Sequence, residues 1–100
     1  MVSQANIACE LFKKIGINPC LINIHTLKPL NKPFLKKYIK NFKYIITVEE
    51  HTIIGGLSSL IAQSFISEFK KEKKFLNISL PDKFGPTGSY EYLLDYHGLN

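Results

Sequence analysis

Apolar positions recur along this chain with two alternating periods, and the alternation predicts helices and strands in turn. Steps of three and four residues, typical of amphipathic helices, run through the first 15 positions and through later segments. Short runs rich in β-branched residues, typical of buried strands, lie between them. The predicted helices cover residues 3–15, about 31–41, 56–69 and 90–97, and the predicted strands cover residues 20–24, 44–48 and 75–80.

Several residues mark where these helices begin and end. Ser3 and Asn31 are of the type that caps a helix N-terminus, and Pro33 is tolerated in a first turn. Gly16 and Gly98 suit the left-handed position that follows a helix. The sequence therefore marks both ends of the first helix, the start of the second and the end of the last.

The order helix–strand–helix–strand–helix–strand–helix predicts an α/β fold with a mostly parallel sheet covered on both faces. Right-handed crossovers would join successive strands. One hundred residues are enough for one domain with a single core. Three strands are few for this architecture, and Met1 and Val2 have the character of the end of a preceding element. We therefore expect one domain over residues 1–100 that is truncated at its N-terminus and lacks its first strand.

The composition is that of a globular protein, with 45% hydrophobic and 21% charged residues. No apolar run approaches the roughly 20 residues that a membrane-spanning helix needs. The N-terminus lacks the basic and apolar regions of a signal peptide. We expect a cytoplasmic location and no membrane partner.

The net charge of +5 comes from lysine, because the 13 basic residues include no arginine. Arginine makes most bidentate contacts to phosphate and guanine, so lysine alone predicts weak attraction to polyanions. A solvated surface explains these lysines better than a binding site, and we expect no nucleic-acid partner. Eight of the lysines form two groups: Lys36, Lys37, Lys40 and Lys43, and Lys70, Lys71, Lys73 and Lys74.

Two cysteines, Cys9 and Cys20, belong to no CxxC motif, and no second Cys/His pair has the spacing of zinc ligands. We expect both thiols to be reduced and buried. His25 and His97 stand apart from other candidate ligands. The sequence therefore predicts no metal site.

The densest group of polar residues lies where the second predicted strand ends. Glu49, Glu50 and His51 follow that strand, at the edge where α/β proteins often hold ligands. Carboxylates beside an imidazole can transfer protons or bind a metal. However, neighbours in an extended chain point to opposite sides, so at most one carboxylate can share a site with the histidine. Helix capping or an interface explains the group better than catalysis.

Gly55 and Gly56 follow, at the start of the longest predicted helix. Free backbone N–H groups at such a position attract anions. The pair lacks the GxGxxG pattern, and it also lacks the lysine and hydroxyl residues of a phosphate-binding loop. Close packing of the helix against the strand is the simpler explanation.

A second polar joint, residues 82–89, precedes the last predicted helix. Thr87 or Ser89 can cap that helix, and Asp82 can hydrogen-bond within the turn. No GxSxG sequence is present, which argues against a serine nucleophile. Nothing in the chain assembles a nucleophile, a base and an orienting group, so the isolated chain does not look like an enzyme.

Three blocks of sequence, which together cover nearly the whole chain, resemble the C-terminal domain of the transketolase family of thiamine-diphosphate enzymes. GINPCLINIHTLKPL at residues 16–30 resembles a family strand and its KPL loop. ITVEEHTIIGGLSSLIA at residues 46–62 resembles the family's VEEH…GGLGS joint, with Ser58 where glycine is frequent. LPDKFGPTGSYEYLLDYHGL at residues 80–99 resembles the family's ending, with His97 where tyrosine is frequent.

The resemblance implies a three-layer α/β/α sandwich with a mixed sheet, whose antiparallel first strand would precede Ser3. It implies that thiamine diphosphate and Mg²⁺ lie between the pyrimidine-binding and diphosphate-binding domains of a parent enzyme, and that this chain holds neither. It implies packing against those domains within a homodimer. The parent enzyme would transfer a two-carbon ketol unit between sugar phosphates.

By the same resemblance, this chain contributes structural and interface residues, and none that is catalytic, cofactor-binding or metal-binding. The matching positions lie at the two polar joints. They are Glu50, His51, Gly55, Gly56, Asp82, Phe84, Gly85 and Gly88.

Other interpretations stay open. The chain can be a small complete enzyme that uses Glu50 and His51, or a lysine-rich nucleic-acid-binding module. Within the family, the alternatives are 1-deoxyxylulose-5-phosphate synthase and the beta subunit of 2-oxoacid dehydrogenases, and the sequence fits the synthase better than the dehydrogenases. Because a sheet edge and a dimer surface would both be exposed, we expect the isolated chain to self-associate or to be marginally stable.

Overall fold

A computed structural model describes residues 1–69 and 72–100, and these form five helices and two strands. In chain order the elements are α1 (Val2–Lys14), α2 (Lys32–Asn41), β1 (Tyr44–Thr52), α3 (Leu57–Ser64), α4 (Ile66–Phe69), β2 (Lys74–Leu80) and α5 (Tyr90–Tyr96). The chain divides into a strand unit, Thr26–Lys83, and a terminal unit, Met1–His25 with Phe84–Asn100. The α/β class predicted from the sequence is confirmed.

The two strands of the strand unit pair in parallel, as the order of elements predicted. Pairing runs in register from Tyr44 opposite Lys74 to Val48 opposite Ile78. It becomes irregular beyond Val48 and resumes at Thr52. β1 is therefore longer than the predicted strand at 44–48, and it includes the glutamate pair and the histidine that were expected to follow it.

The core of the strand unit comes from α2, α3 and the residue that ends α3. Its buried apolar side chains are Leu35, Ile39, Ile61 and Phe65. α3 lies against β1, and Phe69 of α4 stacks on Phe75 of β2 with ring centroids 4.9 Å apart. Side chains alternate between the two faces of a strand, so the neighbouring residue Leu76 lies on the other face, where it is exposed.

Side chains fix both ends of α2. The Asn31 Oδ1 accepts the backbone N–H of Phe34 at 3.1 Å, which confirms the predicted cap. At the other end, the Lys73 ammonium donates to the carbonyl oxygens of Lys40 at 3.0 Å and Phe42 at 2.7 Å. Carbonyl groups at a helix C-terminus lack partners within the helix, so Lys73 both satisfies them and joins the start of β2 to the end of α2.

An ion pair links α2 to α4. The Lys36 Nζ lies 3.2 Å from the Glu68 Oε1, and the Ser67 hydroxyl donates to the Glu68 Oε2 at 2.7 Å. The hydrogen bond from Ser67, followed by the one from Lys36, lowers the pKa of Glu68 below its usual range. The carboxylate is therefore ionised at neutral pH and remains an acceptor for both partners.

In the terminal unit, a glycine follows each helix, as the sequence predicted. After α1, Gly16 has φ +82°, and the N–H of the next residue, Ile17, bonds to the Phe12 carbonyl at 3.0 Å. After α5, Gly98 has φ +65°, and the N–H of the next residue, Leu99, likewise bonds back to a carbonyl of the helix. Leu99 is buried. Glycine adopts this left-handed conformation without steric cost, and both helices stop there.

The predicted strand at residues 20–24 is wrong. In the part of the chain that the structure describes, these residues are not a strand and belong to no ladder. An apolar run forms a strand only where a neighbouring strand supplies hydrogen-bond partners, and the sequence pattern does not reveal that partner. The described sheet has two strands in place of the predicted three.

Two helix boundaries also differ from the prediction. α1 begins at Val2, so Ser3 lies inside the helix and does not cap it. The predicted helix at 56–69 is interrupted at Phe65, where the backbone φ is −127° and the side chain is buried. The apolar spacing runs through this break without a proline or a glycine to signal it, so periodicity alone predicts one helix in place of α3 and α4.

The two cysteines carry free thiols, as expected. Neither thiol is buried, since Cys9 is half-buried and Cys20 is exposed. α1 buries none of its residues, and the strand predicted around Cys20 does not form. The expectation of buried thiols is therefore wrong.

Replacing Phe65 tests where the core of the strand unit lies. Phe65→Ala is expected to lower the free energy of unfolding by about 3–5 kcal/mol, because the side chain is only 2% exposed. Phe34→Ala is the matched control, and since that ring is 42% exposed, a loss of about 1 kcal/mol is expected. Urea unfolding followed by far-ultraviolet circular dichroism measures both. Equal losses would contradict this assignment of the core.

Candidate functional site

The carboxylate of Glu49 occupies the N-terminus of α3. Its Oε2 accepts the backbone N–H of Leu57 at 2.6 Å, and its Oε1 accepts the N–H of Ser58 at 2.9 Å. These N–H groups have no partner within the helix, and the residue before them, Gly56, has no side chain that could cap it. Glu49 therefore supplies the cap from the neighbouring strand. The position considered above as an anion site is filled by the chain's own carboxylate.

Gly56 allows this close approach. A methyl group built at its Cα would collide with the Glu49 carboxylate and would lie 2.9 Å from the Nδ1 of His51. Any other residue would have to push the carboxylate away from the helix N-terminus. Close packing, the simpler explanation offered for the glycine pair, therefore describes Gly56.

The loop between β1 and α3 is held by its own hydroxyl groups. The Ser59 Oγ donates to the Ile53 carbonyl at 3.0 Å and accepts the Gly55 N–H at 3.1 Å. The Thr52 Oγ1 donates to the Ile54 carbonyl at 3.1 Å. Gly55 has φ +80°, a conformation that favours glycine. These bonds hold the loop so that the residue after it, Gly56, faces Glu49.

The side chains of Glu50 and His51 are exposed, whereas Glu49 is half-buried. His51 lies on the same side as Glu49, since a methyl group at Gly56 would approach both side chains. The difference between Glu49 and Glu50 agrees with the expectation that adjacent residues of a strand point to opposite sides. The His51 Nδ1 lies 2.8 Å from the Thr52 carbonyl oxygen, which can only accept, so Nδ1 carries the proton. The structure thus gives the two glutamates separate surroundings, with one in the cap and one at the surface.

The residues of the second joint belong to different units. Asp82 is exposed in the strand unit, and Phe84 is fully exposed in the terminal unit. A methyl group at Gly85 would lie 3.4 Å from the His97 Nε2, and one at Gly88 would collide with the Tyr92 ring. Both glycines therefore lie close to side chains of α5 or of the residue that ends it.

The cap of α5 is Ser89, one of the two residues that the sequence suggested. Its Oγ accepts the Tyr92 N–H at 3.3 Å. The ring of Tyr96 meets the His97 imidazole edge-on, with centroids 4.9 Å apart. The cap and the aromatic contacts together give the last segment its local structure.

The lysines of the strand unit have several partners. Lys43 and Lys74 each place the ammonium 5.9 Å from the centre of the Tyr44 ring. An open cavity of about 290 Å³ lies beside them, but the Lys73 ammonium in its wall already binds backbone carbonyls. Two lysines of the predicted groups, Lys70 and Lys71, lie outside the described residues. The cavity lining is Lys40, Asn41, Phe42, Lys43, Glu72 and Lys73.

No metal-binding group of side chains is evident in the described ranges. Across residues 1–69 and 72–100, no three His, Cys, Asp or Glu side chains are placed to hold one ion. Within the same ranges, no helix combines the length and the apolar character that crossing a membrane requires.

Sequence reasoning did not select Glu49 among the site residues, although it noted the residue and considered helix capping. The signal that could have identified it is a glycine at the N-cap of α3, which leaves the helix without a cap of its own. A carboxylate at the end of the preceding strand is then the nearest group that can accept the free N–H groups. Sequence reasoning also missed two buried hydroxyls that have no hydrogen-bond partner in the described structure, those of Thr47 and Ser58.

The family described as "Transketolase, C-terminal domain" matches residues 1–100 of this chain. The chain is 42% identical, over 100 residues, to a 1-deoxy-D-xylulose-5-phosphate synthase of Dictyoglomus thermophilum, and it spans 16% of that protein. It is 36% identical, over 99 residues, to a putative transketolase C-terminal section of Methanocaldococcus jannaschii, and it spans 30% of that protein.

A solved structure, described as "Split gene transketolase, inactive beta4 tetramer", is similar with a TM-score of 0.84 and 25% sequence identity. The similarity covers 98% of this chain and 31% of that chain. This chain therefore spans less than a third of the length of each of these relatives.

Removing the Glu49 carboxylate tests the cap. Glu49→Ala is expected to lower the free energy of unfolding by about 1–3 kcal/mol, because two N–H groups lose a charged acceptor. Glu50→Ala is the comparison variant, since the α3 N–H groups bind Glu49 and not this exposed carboxylate, and a smaller loss than that of Glu49→Ala is expected. Chemical unfolding of the two variants measures the difference. A larger loss for Glu50→Ala would contradict the assignment of the cap to Glu49.

The adjacent serines of α3 give a second test. Ser58→Ala is expected to raise stability by about 1 kcal/mol, because the buried Oγ has no hydrogen-bond partner in the described structure. Ser59→Ala is expected to lower stability by about 1 kcal/mol, because its Oγ both donates and accepts in the loop. Thermal unfolding of the two variants should therefore shift in opposite directions. A loss of stability in Ser58→Ala would show that its hydroxyl has a partner.

Proposed function

The chain belongs to the transketolase C-terminal domain family, and on this premise we propose that it is the non-catalytic C-terminal domain of a transketolase-like thiamine-diphosphate enzyme. Its task is to pack against the other domains and to support their assembly. The chain spans 16% of the synthase relative, so a larger body of protein accompanies this segment there. The proposed domain covers residues 1–100.

The use of Glu49 as a helix cap is the observation that carries this proposal. Of the groups at the joint, Glu49 is the carboxylate with two short hydrogen bonds from backbone N–H groups, at 2.6 and 2.9 Å. A carboxylate held in this way is occupied in stabilising the fold and is not placed to accept a proton from a substrate. The joint therefore supports a structural role better than an acid–base role.

At the joint between β1 and α3, the described residues do not fit thiamine diphosphate or Mg²⁺. The N–H groups of α3 that could bind a diphosphate already bind the Glu49 carboxylate. No group of metal ligands is formed within residues 1–69 and 72–100. In this proposal the cofactor and its metal ion are held by the pyrimidine-binding and diphosphate-binding domains, and no step of the reaction uses this chain.

We propose interface roles for the exposed residues of the two joints. Glu50, His51, Asp82 and Phe84 have exposed side chains, which a partner domain would meet at the surface. Gly55, Gly56, Gly85 and Gly88 shape the backbone around them. The partner is the rest of the enzyme, in a homodimer located in the cytoplasm.

Two reactions are candidates for the parent enzyme. The first is transfer of a two-carbon ketol unit between sugar phosphates, as the family resemblance implies. The second is synthesis of 1-deoxy-D-xylulose 5-phosphate, and the 42% identity with the synthase over the whole chain favours it. The beta subunit of a 2-oxoacid dehydrogenase is a more distant alternative.

Assays of the intact enzyme that carries this chain test the proposal. His51→Ala is expected to leave kcat within about twofold of the unmodified enzyme, whereas loss of a general acid or base costs roughly 10²–10⁴-fold. Glu50→Gln is the companion variant at the same surface. Both are assayed for ketol transfer and for deoxyxylulose phosphate formation, with thiamine diphosphate and Mg²⁺ at saturation.

A loss of more than about 100-fold in kcat for either variant would contradict the non-catalytic role. The two substrate assays of the unmodified enzyme are interpreted separately from the effects of the variants. Turnover in one of them identifies the reaction of the parent enzyme, and turnover in neither would contradict both candidate reactions.

A further inference from the structure

We draw no further inference here: the strongest candidate, the apolar face that Ile46, Leu76 and Ile78 form on the β1–β2 sheet, is exposed in the strand unit, and nothing in the described structure shows what covers it.

Discussion

The pair of hydrogen bonds from the start of α3 to the Glu49 carboxylate is the constraint on which the joint between β1 and α3 depends. The helix begins at a glycine and has no cap of its own. The strand supplies the cap, and it reaches the helix because Gly56 leaves room for the carboxylate. The absence of a side chain at Gly56 leaves the helix without a cap of its own. It also leaves the space in which the Glu49 carboxylate replaces that cap. An external anion could bind at this helix terminus only by displacing Glu49.

The same short segment divides its residues between two tasks. Glu49 is half-buried and holds the helix, whereas the next two residues, Glu50 and His51, are exposed. The alternation of side chains along β1 separates Glu50 from Glu49, whereas His51 returns to the side of Glu49 and lies near Gly56. The polar motif, which suggested acid–base chemistry in the sequence, thus contains one glutamate that caps α3 and one that lies at the surface.

The sequence predicted most of the helices and the direction of the strands, because their signals are local. The Asn31 cap and the glycines after α1 and α5 act within a few residues, and each was identified correctly. The predicted strand at residues 20–24 failed because strand formation depends on a neighbour that no local pattern reveals. The break at Phe65 was also missed, because no proline or glycine marks it and the buried Phe65 continues the apolar spacing of the helix.

The polar group at the end of β1 was visible in the sequence, but the residue that caps α3 was not singled out. Composition and spacing placed the polar group at the end of β1 and favoured capping over catalysis. They could not tell which of two adjacent glutamates turns toward the helix, because strand alternation only requires that the two differ. That choice depends on which face of β1 packs against α3, and the sequence pattern does not give this. A local sequence pattern does not reveal interactions between residues that lie several positions apart.

The span of the Glu49 cap also bears on the order in which the strand unit folds. Its hydrogen bonds join residues eight and nine positions apart, whereas the pairing of β1 with β2 brings Tyr44 opposite Lys74, thirty positions away. Closing a short loop costs less chain entropy than closing a long one. The strand-to-helix joint can therefore form while β2 is still unpaired. It would then act as a local nucleus, with the parallel pairing of the strands completed around it.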